Sequence, residues 1–360
     1  MTQSERPFRD SLRSALPQDP LRTPDERSRS QRRLLLAVLV VLAIVLAILI
    51  ALVLKGSESP APINMGPVPR VLLAIPGPGT GDAPLFRRPL AVAWSPDGDI
   101  YVSDTGNRRI CVFSDKGRFK REFGGAKPTK KGAEKNVIEQ PGGIAFDLEG
   151  NVYVADIRGG EVVVFSPQGK LIKRLHRRTT GGDQQPRWTP TDVAVSGGRV
   201  YVTDSDGVSI FSVDGTAEGR IEKANGKRFA RPNGVAVRPN GNLVISDTNN
   251  GRIVALEGTG TLEWTVGPTL DDRRIFGLPR GLAIAQDGSA LIADAFLFGI
   301  VRLTEQGERL NGFGGRGAQL GLFEFPNDVD VRGELVVVAD KENNRVQLIQ
   351  WPGLLSTAGQ

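Results

Sequence analysis

The chain has 360 residues, with 46 Lys and Arg against 40 Asp and Glu, a formal charge of +6, one His and one Cys. A single cysteine excludes an intramolecular disulfide and a paired-thiolate zinc site, and a single histidine excludes a His-cluster metal centre. The basic excess favours anionic partners.

Residues 1–33 are charged, contain proline and are poor in apolar residues, so a disordered basic tail is expected. Leu34 through Leu54 are 21 uninterrupted apolar residues. At ~1.5 Å per residue they would cross a hydrocarbon core of roughly 30 Å, and they exceed the ~7–15 residues of a signal-peptide core. One uncleaved transmembrane helix is therefore predicted over 34–54. Arginines crowd the segment before it (Arg27, Arg29, Arg32, Arg33), and only Lys55 follows closely. That asymmetry places the N-terminus in the cytoplasm and the rest outside the cell membrane. Residues 55–69, rich in Pro, Gly and Ser, read as a semi-extended stalk. A large external domain without disulfides points to a bacterial cell envelope.

From residue 70 to 352 the chain is repetitive. A proline opens an apolar strand, a Gly-containing turn follows, and a second strand ends in aspartate. The prolines are Pro89, Pro141, Pro190, Pro232, Pro279 and Pro326, and the aspartates are Asp104, Asp156, Asp204, Asp247, Asp294 and Asp340. The Pro-to-Asp distance is 14 or 15 residues throughout, and the period is 42 to 52. In the first repeat, Pro89–Trp94 and Asp99–Ser103 flank Ser95-Pro-Asp-Gly98, which is hairpin chemistry. A third strand (Arg109–Phe113), a second Gly turn and a fourth strand (Phe119–Phe123) complete the unit. Four antiparallel strands per ~45 residues are one propeller blade. The sixth unit has no fourth strand before the 353–360 tail, whereas a spare strand, Arg70–Ile75, stands at the other end. The expected fold is all-β: a six-bladed β-propeller whose N-terminal strand closes the last blade, preceded by the membrane helix.

The turns Asp104-Thr-Gly-Asn-Arg-Arg-Ile110, Asp247-Thr-Asn-Asn-Gly-Arg-Ile253 and Asp340-Lys-Glu-Asn-Asn-Arg-Val346 share the spacing Asp-x-x-Asn-x-Arg. Together with the Pro-to-Asp period, this pattern resembles the NHL repeat family over residues 70 to about 351. With the tail, span and stalk, the arrangement resembles the extracytoplasmic sensor half of certain bacterial receptor Ser/Thr kinases. The kinase is missing, since 33 residues cannot hold a catalytic domain. The resemblance implies the fold more than any one role, because such propellers serve as protein-binding, RNA-binding, ligand-sensing and, rarely, catalytic modules.

The blade topology puts the loops between blades, and those after each recurrent aspartate, on one face. These loops vary most in length, as binding loops do. They carry Lys130, Lys131, Arg177, Arg178, Arg231, Arg273, Arg274 and Arg280, so this face is read as basic. Blade 5 departs from the polar turns of the others with Asp294-Ala-Phe-Leu-Phe-Gly299. Phe296 and Phe298, with Trp188, Arg231 and Arg280, are the candidate hot spot for a protein or an anionic envelope polymer. The recurrent aspartates read as turn caps. Asp192, Asn233, Asn327 and Asp328, at the starts of the first strands, are placed at the mouth of the axial channel. A Ca²⁺ between Asp192 and Asp328 is the one cofactor they could take.

Catalysis has little support. The NHL-like amidating lyases and streptogramin-type lyases resemble His-dependent metal enzymes, and here only His176 is present. Gluconolactonase-like propellers use carboxylate and Asn ligands, which this chain could supply, but no Glu lies on any first strand. The sequence reading is a non-catalytic binding or scaffold propeller outside the membrane, without nucleic acid. The alternative is a metal-dependent lactonase- or lyase-like hydrolase.

Overall fold

The computed structural model describes residues 36–39, 68–79, 85–125, 128–129, 132–133, 137–177, 187–270 and 273–355. The chain divides into two compact units, Met1–Asn64 and Met65–Gln360. Of the first, 36–39 are helical. Among the described residues no helix is long and apolar enough to cross a membrane. The tail, the stalk up to residue 67 and most of the 34–54 run lie outside the described residues.

The second unit is an all-β propeller of six four-stranded antiparallel sheets. Blade 1 runs Ala91–Trp94, Ile100–Asp104, Arg109–Phe113 and Phe119–Phe123 from the axis outward. Blades 2 to 6 begin with Pro141–Phe146, Asp192–Ser196, Gly234–Val237, Pro279–Ile284 and Pro326–Arg332. These first strands pack on one another in a closed ring, the sixth returning to the first. Arg70–Ile75 is the outer strand of blade 6, antiparallel to Arg345–Gln350, with Ile75 opposite Val346 and Val71 opposite Ile349. The ring is thus sealed by pairing the two ends of the domain, as the spare strand implies.

Strand alternation explains why every blade is wet only at its rim. In Ile100-Tyr-Val102, Ile100 and Val102 pack toward blade 6 and Tyr101 toward blade 2. Six such apolar layers fill the six gaps between blades. A Val, Ile or Phe buried this way contributes about 1.5–3 kcal/mol, so the clusters carry the fold. Cys111 belongs to one of them, fully buried, and burial raises its thiol pKa.

The recurrent aspartates do more than cap the next turn. Asp247 is fully buried. Its Oδ1 accepts the Ala230 amide from the segment entering the blade (2.8 Å), and its Oδ2 accepts from Asn250 Nδ2 (2.8 Å) and Arg252 Nε (2.7 Å). Asp104 does the same with Arg87, Asn107 and Arg109, and Asp340 with Glu324, Asn343 and Arg345. This is the physical content of the Asp-x-x-Asn-x-Arg spacing. Removing one partner of a buried pair leaves the other charge uncompensated, at about 3–5 kcal/mol. Asp247→Ala is expected to destabilise the domain by that amount in urea unfolding. A loss below about 1 kcal/mol, the scale of an exposed pair, would show the knot to be dispensable.

Candidate functional site

The first strand of each blade has no strand partner on its axial side, so its N–H groups face the channel. At the second residue after each proline the six blades present Ala91, Gly143, Asp192, Gly234, Gly281 and Asp328. Ala91, Gly143, Gly281 and the two acids line a constriction of about 30 Å³, together with Asn233, Arg280 and Asn327. The four residues assigned to the channel mouth therefore converge. The small residues are required by space. A Cβ on Gly143 would stand 1.8 Å from Asp192 Oδ1, and one on Gly281 1.8 Å from Asp328 Oδ1. Asp192 Oδ2 accepts the Val235 amide (2.9 Å), and Asp328 Oδ2 accepts the Val92 amide (3.0 Å). Each acid therefore bonds the free edge of the following blade.

Beyond the neck, toward the hairpin face, the channel widens to a cavity of about 500 Å³ walled by Val, Ile, Leu and Ala together with Trp94, Phe146, Ser95, Ser196 and Arg332. A third acid, Asp330, stands there. Its Oδ2 accepts the Trp94 amide (2.6 Å), and its Oδ1 accepts the Val331 amide (2.7 Å). The other five blades carry alanine at this position: Ala93, Ala145, Ala194, Ala236 and Ala283.

Burial decides the protonation of all three. It pushes Asp192 up to about 7 and Asp330 up to about 6. It raises Asp328 well above the usual carboxylate range, and the charge of Asp192 adds to that. Arg280 is pushed down to about 10 by burial, against the opposing pull of Asp328. These residues do not fit a divalent cation. The two acids favour their neutral forms, each already accepts a backbone amide, and a guanidinium shares the neck. Among the described residues no cluster of three or more His, Cys, Asp or Glu could hold a metal.

The loop face departs from expectation in places. Trp188 is only 7% exposed. Its indole N–H donates to Asp204 Oδ2 (2.8 Å) and its ring packs on Phe211, so it is core and not a surface anchor. Arg177 is drawn to the same aspartate (3.3 Å). Lys130, Lys131 and Arg178 lie outside the described residues. Arg273 and Arg274 form a two-residue strand whose side chains are likewise outside the description. Arg231 is exposed. Phe296 is 54% exposed and Leu297 36%. Phe298 is half-buried, with Arg316 5.1 Å above its ring.

The centre of this patch is a residue the sequence did not single out, Phe325. Its ring meets Phe296 edge-on at 5.8 Å, with Arg280 at 5.8 Å and Lys341 Nζ at 4.3 Å from its centroid. Phe325 and Arg88 both directly precede a blade proline and both adopt positive φ (61° and 50°). Asp330, Phe325 and Arg88 were open to discovery by stacking the six repeats in columns around their prolines. In that alignment Asp330 is the one acid among five alanines.

Residues 229–256 match the NHL repeat model, and residues 86–180 match the model described as SMP-30/Gluconolactonase/LRE-like region. The chain is a six-bladed β-propeller with an NHL-repeat match in its fourth blade. Mouse peptidyl-glycine alpha-amidating monooxygenase is 32% identical over 134 residues, 33% of this chain and 14% of that protein. Two solved structures share the propeller fold at 15% identity. A virginiamycin B lyase from Staphylococcus aureus with quinupristin covers 76% of this chain and 82% of its own, with a TM-score of 0.52. A gluconolactonase from Xanthomonas campestris covers 74% and 87%, with a TM-score of 0.55.

The channel acids make the propeller's stability pH-dependent. Their pKa values are raised on folding, so the folded state holds protons that the unfolded chain releases near pH ~4. This contribution is complete below that pH and is lost as the pH rises toward 7. Asp204, lowered to about 2 despite its burial, mainly by Arg220, acts with opposite sign and only under acid conditions. The urea midpoint is expected to fall between about pH 5 and about pH 8. Asp192→Asn, which mimics the neutral acid, should match the parent at the lower pH and exceed it at the higher. Equal midpoints for the two proteins at both pH values would mean that Asp192 is not held neutral.

Proposed function

We propose that this propeller is a non-catalytic recognition module, held outside a cell membrane by residues 34–54. It takes a partner bearing anionic groups, an acidic protein patch or an envelope polymer, on its loop face, and no nucleic acid. One observation carries the reading. Where blades 1 and 4 turn with polar Thr-Gly-Asn and Thr-Asn-Asn, blade 5 leaves Phe296 and Leu297 in solvent beside Phe325, Arg280 and Lys341. An exposed aromatic packed edge-on against a second ring that two cations flank has the composition of a binding hot spot. The anchor rests on the 21 apolar residues and the arginines before them.

The test is in-cell photo-crosslinking from a probe residue replacing Phe296 in the full-length chain. One reproducible adduct is expected. Phe296→Ser should weaken capture of that partner at least about tenfold, or ~1.4 kcal/mol. A blank from a folded protein carrying the probe would sink the reading. Retention in membranes after alkaline carbonate washing checks the anchor, and release would remove it.

A lactonase- or lyase-like activity has one specific support, the match of residues 86–180 to the gluconolactonase-like model, together with carboxyl groups poised near neutrality in a channel. Stoichiometric Ca²⁺ or Zn²⁺ in the purified chain, with chelator-sensitive lactone hydrolysis, would favour it. The donor set at the neck leads us to expect neither.

A further inference from the structure

We propose that Arg280 and Lys341, set against Phe325 beside the channel mouth, and Arg88, which shares Glu342 with Lys341, form a subsite for one oxyanion, a phosphate or a carboxylate. The proposal rests on the recognition reading above and names the chemistry of one contact within it.

The three cations come from blade 5, blade 6 and the segment entering blade 1, and the one ionised acid paired with them is Glu342, which Lys341 and Arg88 share. Lys341 Nζ and Arg88 each hold the same oxygen of Glu342, at 2.8 and 3.0 Å. Three positive charges against one carboxylate leave two in excess. Asp328, the acid nearest Arg280, is held toward its neutral form by burial. Arg280 is a built group: its Nε donates to Asn327 Oδ1 (3.0 Å), and Asn327 Nδ2 in turn donates to the Leu90 carbonyl (2.6 Å). Its two terminal nitrogens have no hydrogen-bond partner among the described residues. A guanidinium fixed at Nε with its terminal pair open is suited to receive an oxyanion.

Lys341 gives a second, independent sign. Its side chain is only 13% exposed. Burial lowers its pKa, and Arg88 and Arg280 lower it further against the pull of Glu342. An anion seated between the cations would relieve that repulsion. The backbone holds the arrangement open. The Arg88 amide donates to Asn344 Oδ1 (2.8 Å), tying the entry of blade 1 to blade 6. Phe325, at positive φ, sets its ring against both Lys341 and Arg280. The Arg88 side chain is 59% exposed, so the site is open to an incoming group.

The experiment uses the full-length chain with inorganic phosphate and acetate as separate probes. Affinity is read by calorimetry and by protection of Lys341 from an amine-reactive reagent. Phosphate is expected to bind and protect, more weakly as NaCl rises, and acetate protection as well would assign the site to carboxylates. Lys341→Met should lower phosphate affinity at least about tenfold, and Lys341→Arg should restore most of it. Arg280→Gln also removes the hydrogen bond to Asn327, so Lys341→Met carries the decision. Protection by neither probe, or equal phosphate affinity in Lys341→Met and the parent, overturns the subsite, even where the probe at position 296 still captures a partner. Phosphate binding as expected with no partner captured keeps the subsite, as one for a free anion, and removes the recognition reading.

Discussion

In each blade a buried carboxylate at the end of the second strand receives N–H groups from two directions. One set comes from the segment that enters the blade, the other from the turn or side chains that follow the aspartate. Asp247 joins Ala230, Asn250 and Arg252 in this way, and Asp294 reaches the amides of Gly277, Leu278, Phe296 and Leu297. The geometry of the rest follows from this knot. It fixes where the entering segment stops and so where the blade's proline starts the first strand. The first strands then line the channel at a common height, and their second residues meet in one ring. The same carboxylate shapes the loop face, because the turns it holds are the turns that present side chains to solvent.

The channel shows a second consequence of ring closure. Six unpaired strand edges converge on the axis, and unpaired buried amides are costly. Asp192 and Asp328 each serve the blade that follows, bonding Val235 and Val92, while Asp330 bonds Trp94. The cost of that solution falls on the acids, which are driven toward their neutral forms. Two opposed acids with glycine beside each make the neck look like a metal site in the sequence. The hydrogen bonds they make, and the guanidinium beside them, fit it better as a polar plug.

Much of the fold was legible because the knot and the hairpins are local. The proline and aspartate recur at a fixed spacing, and the glycines of the hairpin turns stand between them. The closing strand was legible because blade 6 lacked one strand and Arg70–Ile75 had no blade of its own. Trp188 was misread because its partner is local to one blade. Asp204 has Gly207 and Ser209 where the motif has Asn and Arg. Its carboxylate turns instead to Trp188 and to Arg220 on the outer strand (2.7 Å). An indole that completes a knot is drawn into the core. Nothing in the residues around Trp188 announces this, because the vacancy it fills lies some twenty residues further on.

Blade 5 inverts that case. Asp294 also lacks the Asn and Arg of the motif, but it is satisfied by backbone amides alone, so its turn side chains are free of structural duty. Phe298 occupies the left-handed position that blades 2 and 4 give to Gly160 and Gly251, blade 6 to Asn344 and blade 1 to Arg108. A bulky residue there costs about 1 kcal/mol relative to glycine. Phe325, at positive φ before Pro326, bears a similar cost. Both rings face cations, Phe298 under Arg316 and Phe325 against Lys341 and Arg280. The fold would be served as well by glycine or asparagine at Phe298. Under the recognition reading proposed above, these two strained rings, set against cations where they meet solvent, are the corner of the loop face that a partner would use.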